Sequence, residues 1–180
     1  MPAEAASDLD ERMLLHDVAD RLNSIADQLP LPDQIRADPV LSDLLDDEVR
    51  HLARLLGYLA GQHAVRHRAA ARYPYQVTAA QRRLAGGLAR AAEPTGAALA
   101  SLGAAVHVLG SLADLSHQAP SPGQARAMSA GHQRLTVCIA ETRTHLAEAA
   151  KHLRTAADTR PSPSAAPPVP AVSAAPTRTH

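Results

Sequence analysis

The chain lacks large aromatic residues. Among its 180 residues there is no Trp and no Phe, and there are only three Tyr. A hydrophobic core therefore has to be built from aliphatic side chains and from alanine, of which the sequence has 39. Because Ala and Leu are the strongest helix formers and give a sheet little to pack, this composition predicts an all-α fold.

Cysteine and the usual catalytic motifs are also scarce. A single cysteine, Cys138, excludes an intrachain disulfide and a zinc finger built from cysteines. No G-x-S-x-G, P-loop or G-x-G-x-x-G pattern occurs, and we find no pair of carboxylates in a shared apolar setting. The start, MPAEAASDLDER, is acidic and has no apolar stretch of the kind that a secretory signal needs. We therefore expect a cytoplasmic protein that is not an enzyme and has no cofactor.

Charge is balanced over the chain but unevenly distributed along it. The 18 basic residues equal the 18 acidic ones. Residues 1–50 carry 13 acidic and 4 basic side chains, whereas residues 51–90 carry seven Arg and no acid. Residues 94–113 carry no charge at all. In a bundle of long helices, this distribution predicts one acidic end and one basic end.

Apolar residues recur at helical spacing in four segments, which predicts helices over about 8–29, 39–72, 79–117 and 122–158. The third pattern keeps its phase through Pro94, so we expect one helix that is kinked there. The alternative is a break, with Thr95 starting a new helix. The start of each helix has a capping signal. These signals are Ser7 with Asp10, Asp38 with Pro39, Thr78 with Gln81, and Ser121 with Pro122 and Gln124.

Short connections between these helices favour antiparallel neighbours, so residues 1–158 are predicted to form an up-down-up-down four-helix bundle with coiled-coil packing. One helix is short and three are long. The short first helix should lie beside the first two-thirds of helix 2. The turn between helices 2 and 3 would then be a stem of three helices, with four arginines beyond the reach of helix 1: Arg72, Arg82, Arg83 and Arg90. Residues 159–180 are rich in Pro, Ala and Ser and predict a disordered tail.

The uncharged segment 94–113 is long enough to cross a bilayer. Pro94, His107 and several Ser, Thr and Gly residues oppose a span, and we expect a buried central helix instead. Gly96, Gly103 and Gly110 recur every seven residues and share one helix face. That face predicts close packing against a neighbouring helix, and the alternative is a coincidence in a stretch rich in Gly and Ala.

The candidate interaction residues surround the YPY turn between helices 2 and 3. Arg and Tyr at an exposed turn are typical of interfaces, and they also bind phosphates or stack on bases. The other interpretation is a solvated surface, with the tyrosines covering the end of the bundle. The candidates are Arg66, Arg68, Arg72, Tyr73, Tyr75, Arg82 and Arg83.

Two further patterns involve histidine. His63 and His67 are spaced to share a helix face, but no acidic residue lies near them to complete a metal site, so no metal is expected. His132 and Thr142 lie on the apolar seam of helix 4. They could fix the register of the helices or line a pocket for a small ligand between helices 3 and 4.

Taken together, these patterns predict a non-enzymatic helical bundle that works through protein–protein interaction or scaffolding, associating with itself as a homodimer through the exposed stem. One alternative is a protein that binds nucleic acid or an anionic surface through its basic end. Another is a bundle that senses a small ligand.

Overall fold

The computed structural model describes residues 2–159, and the predicted tail lies outside this range except for Thr159. These residues form four α-helices and no strand, so the predicted all-α four-helix fold is confirmed. A short 3-10 turn, Pro74–Gln76, connects the second and third helices. The helices are α1 (Pro2–Gln28), α2 (Pro39–Arg72), α3 (Ala79–Ser116) and α4 (Pro122–Asp158).

Side chains cap the starts of α2, α3 and α4 at the predicted residues. Asp38 Oδ1 accepts a hydrogen bond from the Leu41 N–H at 2.9 Å, and Pro39 opens α2. Both reciprocal hydrogen bonds of a capping box form at the two later starts. The residues are Thr78 with Gln81, and Ser121 with Gln124.

Helix α1 starts earlier than its sequence predicts. It begins at Pro2, so the predicted capping signal at Ser7 lies inside the helix rather than at its start. Proline is favoured at the first helical position, and the segment that follows is rich in Ala, which has the highest helix propensity. The extra residues lengthen α1 toward the turn between α2 and α3.

The core is aliphatic. Its largest fully buried side chains are leucines, together with Ile139, and it holds no aromatic side chain among the described residues. Within residues 2–159, the polar or charged residues described as buried are Glu48, Thr95 and Thr142. Helix α3 is continuous through Pro94, and the Thr95 hydroxyl donates a hydrogen bond to the Ala91 carbonyl at 2.7 Å.

The four helices are not equally close to each other. Helix α3 packs most extensively against α4, α1 packs mainly against α4, and α2 packs against α3. The two helices α1 and α2 hardly touch, so the expectation that helix 1 lies beside helix 2 is wrong. Side chains of α4 also bond to α1, because Arg154 contacts Asp20 at 2.8 Å and Arg143 reaches the end of α1.

Arg143 closes the carboxyl end of α1. Its Nη1 donates hydrogen bonds to the carbonyl oxygens of Ala26 at 2.7 Å and Leu29 at 2.8 Å. Carbonyls in the last turn of a helix have no partner within the helix and carry partial negative charge, so a cation satisfies them well. One side chain of α4 therefore caps the carboxyl end of α1.

The predicted glycine face of α3 does not pack. A Cβ atom built on Gly96, Gly103 or Gly110 would meet nothing within 4 Å, and the latter two residues are exposed. The close-packing prediction is therefore wrong for these three residues. The opposite face of α3 packs instead because its larger side chains, such as Leu102 and Leu109, form the core.

Two other glycines lie at close helix crossings. A Cβ atom on Gly87 of α3 would lie 2.8 Å from Ala156 Cβ of α4, and one on Gly131 would lie 2.6 Å from Leu112 Cδ2. Real Cβ atoms essentially never approach other atoms this closely. A side chain at Gly87 would therefore require the helices to shift, because Ala156 Cβ cannot rotate away, whereas one at Gly131 would require the Leu112 side chain to move.

Helix α3 contains an 18-residue window that is long and apolar enough to cross a membrane, and 33% of that window is buried here. A core helix of a soluble protein passes the same test. The face of this helix that carries Gly103 and Gly110 is exposed and uncharged between residues 94 and 113, and the packing gives no reason for its lack of charge.

Candidate interaction surface at the turn between α2 and α3

The end of α2, the turn and the start of α3 form the least buried part of the bundle. We call residues 60–83 the stem. No residue of the stem is buried, although Leu59 and Leu84 on either side of it are completely buried or nearly so. The stem is therefore a helical hairpin that extends past the core.

A groove of about 600 Å³ runs along the stem between α2 and α3, and its far wall includes Glu11 of α1. Its apolar lining comes mainly from small side chains. These are Val65, Ala69, Ala70, Val77 and Ala85. Three of the predicted interaction residues, Arg66, Tyr73 and Arg82, also line it.

Glu11 is a partly buried acid in this basic surrounding. Its Oε2 atom is buried and has no hydrogen-bond partner. Burial raises the pKa of Glu11, and the nearby positive charges of Arg66 and Arg83 oppose that rise. Arg66 donates to the side chain and the carbonyl of Gln62 instead of bonding to Glu11. The groove therefore holds an acid whose hydrogen-bonding capacity is not satisfied.

The prediction that helix 1 is too short to reach Arg83 is wrong. Asp8 Oδ1 accepts a hydrogen bond from Arg83 Nη2 at 2.6 Å, and both side chains are partly shielded from solvent. This contact forms because α1 lies against α3 and α4 with its start beside the stem, as the position of Leu15 near Gly87 also indicates. Arg83 is therefore paired within the chain.

The remaining candidate residues face solvent. Tyr75 is fully exposed and Tyr73 is half exposed, with the Arg72 guanidinium 5.6 Å from the centre of the Tyr73 ring. Arg68, Arg72 and Arg82 are exposed and form no ion pair with any described residue. The stem thus presents three positive charges without internal partners.

The two stem histidines line the same groove. Their ring centres are 6.0 Å apart, and His63 Nδ1 lies 3.2 Å from the Ala85 carbonyl oxygen. Within residues 2–159, no group of three His, Cys, Asp or Glu side chains is placed to hold a metal ion. The His63–Ala85 contact gives this histidine a structural partner across the hairpin.

The polar residues on the seam of α4 bond to their own helix. Thr142 is completely buried, and its hydroxyl donates to the Cys138 carbonyl at 2.8 Å. His132 Nδ1 lies 2.8 Å from the Met128 carbonyl oxygen. Burial raises the pKa of the Cys138 thiol, and Glu141 raises it further, which favours the unreactive protonated form.

A second groove of about 470 Å³ opens between α1 and α2, where Ile25 and Leu55 form its apolar floor. Beside it Glu48 is 2% exposed, and its Oε2 atom has no hydrogen-bond partner. His51 Nδ1 lies 3.5 Å from that oxygen. Burial raises the pKa of Glu48, and the positive charge available on His51 opposes that rise.

Sequence reasoning missed Glu11, Glu48 and the two close-packed glycines as special positions. Glu48 lies in phase with Leu45 and Leu52 on the buried face of α2, and Gly87 is three residues after the buried Leu84. Their periodic positions are the sequence feature that indicates burial of these two residues. Glu11 had the same signal, because it lies four residues before Leu15 and in phase with Val18 on the buried face of α1.

Comparisons with protein-family models, with curated proteins and with solved structures find no match for this chain. Its function therefore has to be inferred from its own residues.

Proposed function

We propose that the chain is a non-enzymatic helical bundle that works by protein–protein contact, with a second copy of itself as the first partner. The absence of buried residues from the stem, residues 60–83, carries this proposal. Most helical stability in proteins comes from tertiary packing, so a hairpin without buried side chains gains from a partner that covers it. Arg and Tyr are residue types that dominate the energy of such interfaces.

Sedimentation equilibrium tests this proposal, combined with hydrogen exchange of the stem amides. Mass should rise toward twice the monomer mass with protein concentration, and exchange within residues 60–83 should slow over the same range. Exchange within the buried part of α3, around Leu102, serves as the control and should stay constant. A chain that remains a monomer, with stem exchange independent of concentration, contradicts the proposal.

A second candidate function is binding to a polyanion, such as nucleic acid or an anionic membrane surface. It is favoured by Arg68, Arg72 and Arg82, which have no ion pair among the described residues, and by the absence of acid between Val49 and Ala92. Retention on immobilised DNA and on anionic vesicles should fall with salt. Replacing the three arginines with Ala should abolish it, whereas replacing the exposed Arg126 and Arg134 should not.

The small-ligand alternative has less support. The residues offered for it, His132 and Thr142, bond to carbonyls of their own helix. The three grooves of about 470 to 600 Å³ open beside α1 or α2 rather than between α3 and α4.

A further inference from the structure

The solvent face of α2 carries charge of opposite sign at its two ends. At 100° per residue, the exposed residues opposite the buried leucines form one stripe along the helix. Acidic side chains lie near the start of the stripe, at Asp43, Asp46 and Asp47. Positive side chains without ion pairs lie near its end, at Arg68 and Arg72.

Two glycines lie near the middle of this stripe, between the exposed side chains of Arg54 and Val65. Gly57 and Gly61 lie on it, both are exposed, and a Cβ atom on either would meet nothing within 4 Å. Glycine costs about 1 kcal/mol of helix propensity relative to Ala. Packing within the chain does not require these glycines, but an approaching helix could come close to the backbone there.

The charges are arranged symmetrically about that point. The midpoint between Asp43 and Arg72 is the peptide bond between Gly57 and Tyr58, and the midpoint between Asp47 and Arg68 is the same bond. If a second α2 lies antiparallel across this point, each of these acids therefore faces an arginine of the other copy. A two-fold axis repeats each pair, as an isologous dimer requires.

We propose that two copies of the chain associate through the solvent faces of their α2 helices, antiparallel and centred on Gly57 and Tyr58. The inference rests on the proposed self-association and places it on the solvent face of α2, which includes the stem only from residue 60 to Arg72. The partner is a second copy because reversal of the helix places Asp43 and Asp47 opposite Arg72 and Arg68. Arg54, which also lies on the stripe, would face Gly61, where the lack of a side chain leaves room for it. The groove beside the stem is not part of this interface.

The ion pairs within the chain are weak enough to be replaced by ion pairs with a second copy. Asp46 and Asp47 pair with Arg50 at 2.6 and 3.7 Å, but all three side chains are more than half exposed. Exposed pairs of this kind contribute about 0–1 kcal/mol, so pairing with a partner costs little. Asp43, Arg68 and Arg72 have no ion pair to give up among the described residues.

The size of the surface sets the strength of the dimer. A strip from Asp43 to Arg72 is roughly 44 Å long and about 10 Å wide, which is roughly 440 Å² per copy. A standard interface buries about 800 Å² per partner. The dimer should therefore be weak and reversible, and salt should weaken it because exposed charges contribute to it.

Charge reversal with reciprocal rescue tests the pairing. In sedimentation equilibrium at low salt, R68E/R72E and D43R/D47R should each raise Kd by at least about tenfold, because like charges then face each other. The combined variant D43R/D47R/R68E/R72E should restore Kd to within about threefold of the original value. The R126E/R134E variant, which changes two exposed arginines of α4, is the matched control and should keep the original Kd.

Each outcome separates this pairing from the broader proposal. A chain that is monomeric at every concentration overturns both. A dimer whose Kd ignores the two charge reversals leaves self-association standing and overturns the α2 pairing. A dimer lost only in the α4 control also overturns it, and so does a mass that grows beyond two copies, because an isologous contact closes at two.

Discussion

The α3–α4 interface and the α1–α2 side show opposite ways of arranging neighbouring helices. At the first, Gly87 and Gly131 let the helices approach until a Cβ atom would collide with the neighbour. At the second, the helices hardly touch and a groove opens between them, and Glu11 and Glu48 keep buried oxygens without hydrogen bonds. Small residues allow α3 and α4 to approach closely, whereas buried carboxylate oxygens and long charged side chains are found where α1 and α2 are apart. The tight side therefore supports the fold, and the open side leaves two carboxylate oxygens without hydrogen-bond partners.

The largest effect is expected from filling the tight side. Gly87→Ala should lower the free energy of unfolding by about 2–3 kcal/mol, because the new methyl group meets Ala156 Cβ, which cannot rotate away. Urea unfolding measures this change. Gly103→Ala is the matched control on the same helix and should be neutral or stabilising. Equal effects of the two substitutions would show that the α3–α4 crossing is not limited by space.

The next effect concerns the connection of α1 to α4. Arg143→Ala removes two hydrogen bonds to the carbonyls of Ala26 and Leu29, and it should lower the free energy of unfolding by about 2 kcal/mol. Hydrogen exchange should speed up in the last turn of α1 before it does elsewhere. Arg134→Ala, an exposed position on the same helix, should change neither quantity. Uniform loss of protection along α1 would contradict the capping role.

The open side should become more stable when its buried acid is removed. Glu48→Met replaces an almost fully buried carboxylate with an apolar chain of similar shape, and we expect a gain of about 1–2 kcal/mol at neutral pH. The pKa of Glu48 is raised in the folded chain from its ordinary value of 4.5. Below that pH the carboxyl is protonated in both states and the gain disappears; as pH rises, the unfolded chain ionises first and the gain grows.

Urea unfolding of both chains at several pH values checks this dependence. Glu48→Gln, which removes the charge but keeps a polar group, should give a smaller gain with the same pH profile. A gain that is constant from acidic to neutral pH would mean that ionisation of Glu48 is not its source.

Much of the fold could be predicted because it depends on local signals. The caps at Asp38, Thr78 and Ser121 act within one helical turn, and the spacing of the leucines reports burial of one helix face. The start of α1 was misplaced because a capping signal at Ser7 competed with the high helix propensity of the residues before it. Local signals of similar strength cannot be ranked from one sequence.

The candidate site was harder to predict because its contacts join distant segments. That Arg66, Tyr73 and Arg82 share a groove follows from a short hairpin, and the sequence indicates that hairpin. That Asp8 neutralises Arg83 depends on the packing of α1 against α3 and α4. The contacts of that packing, such as the one between Arg143 and Ala26, join residues more than a hundred positions apart. The close-packing prediction for the three evenly spaced glycines of α3 is wrong because periodicity identifies a helix face without showing whether that face is buried.

The smallest effect on stability per residue is expected from replacing exposed glycines, and it allows the glycines of α2 to be compared with those of α3. G57A/G61A on α2 and G103A/G110A on α3 should each stabilise the monomer by about 0.5–1 kcal/mol per residue, because all four positions are open within the chain. Their effects on association should differ. If α2 helices meet over Gly57 and Gly61, the added methyl groups separate them, and Kd should rise only for the α2 pair.

Urea unfolding at high salt, where the monomer is favoured, gives the stabilities, and sedimentation at low salt gives Kd for both variants. The design separates helix propensity from a contact between copies. Helix propensity raises the free energy of unfolding of both variants, whereas Kd rises only for the variant whose new methyl groups lie in the interface. If the α2 variant is stabilised and its Kd does not move, the two helices do not approach closely at Gly57. The charges at Asp43, Asp47, Arg68 and Arg72 would then have to hold the copies together at a larger separation, where water screens them most.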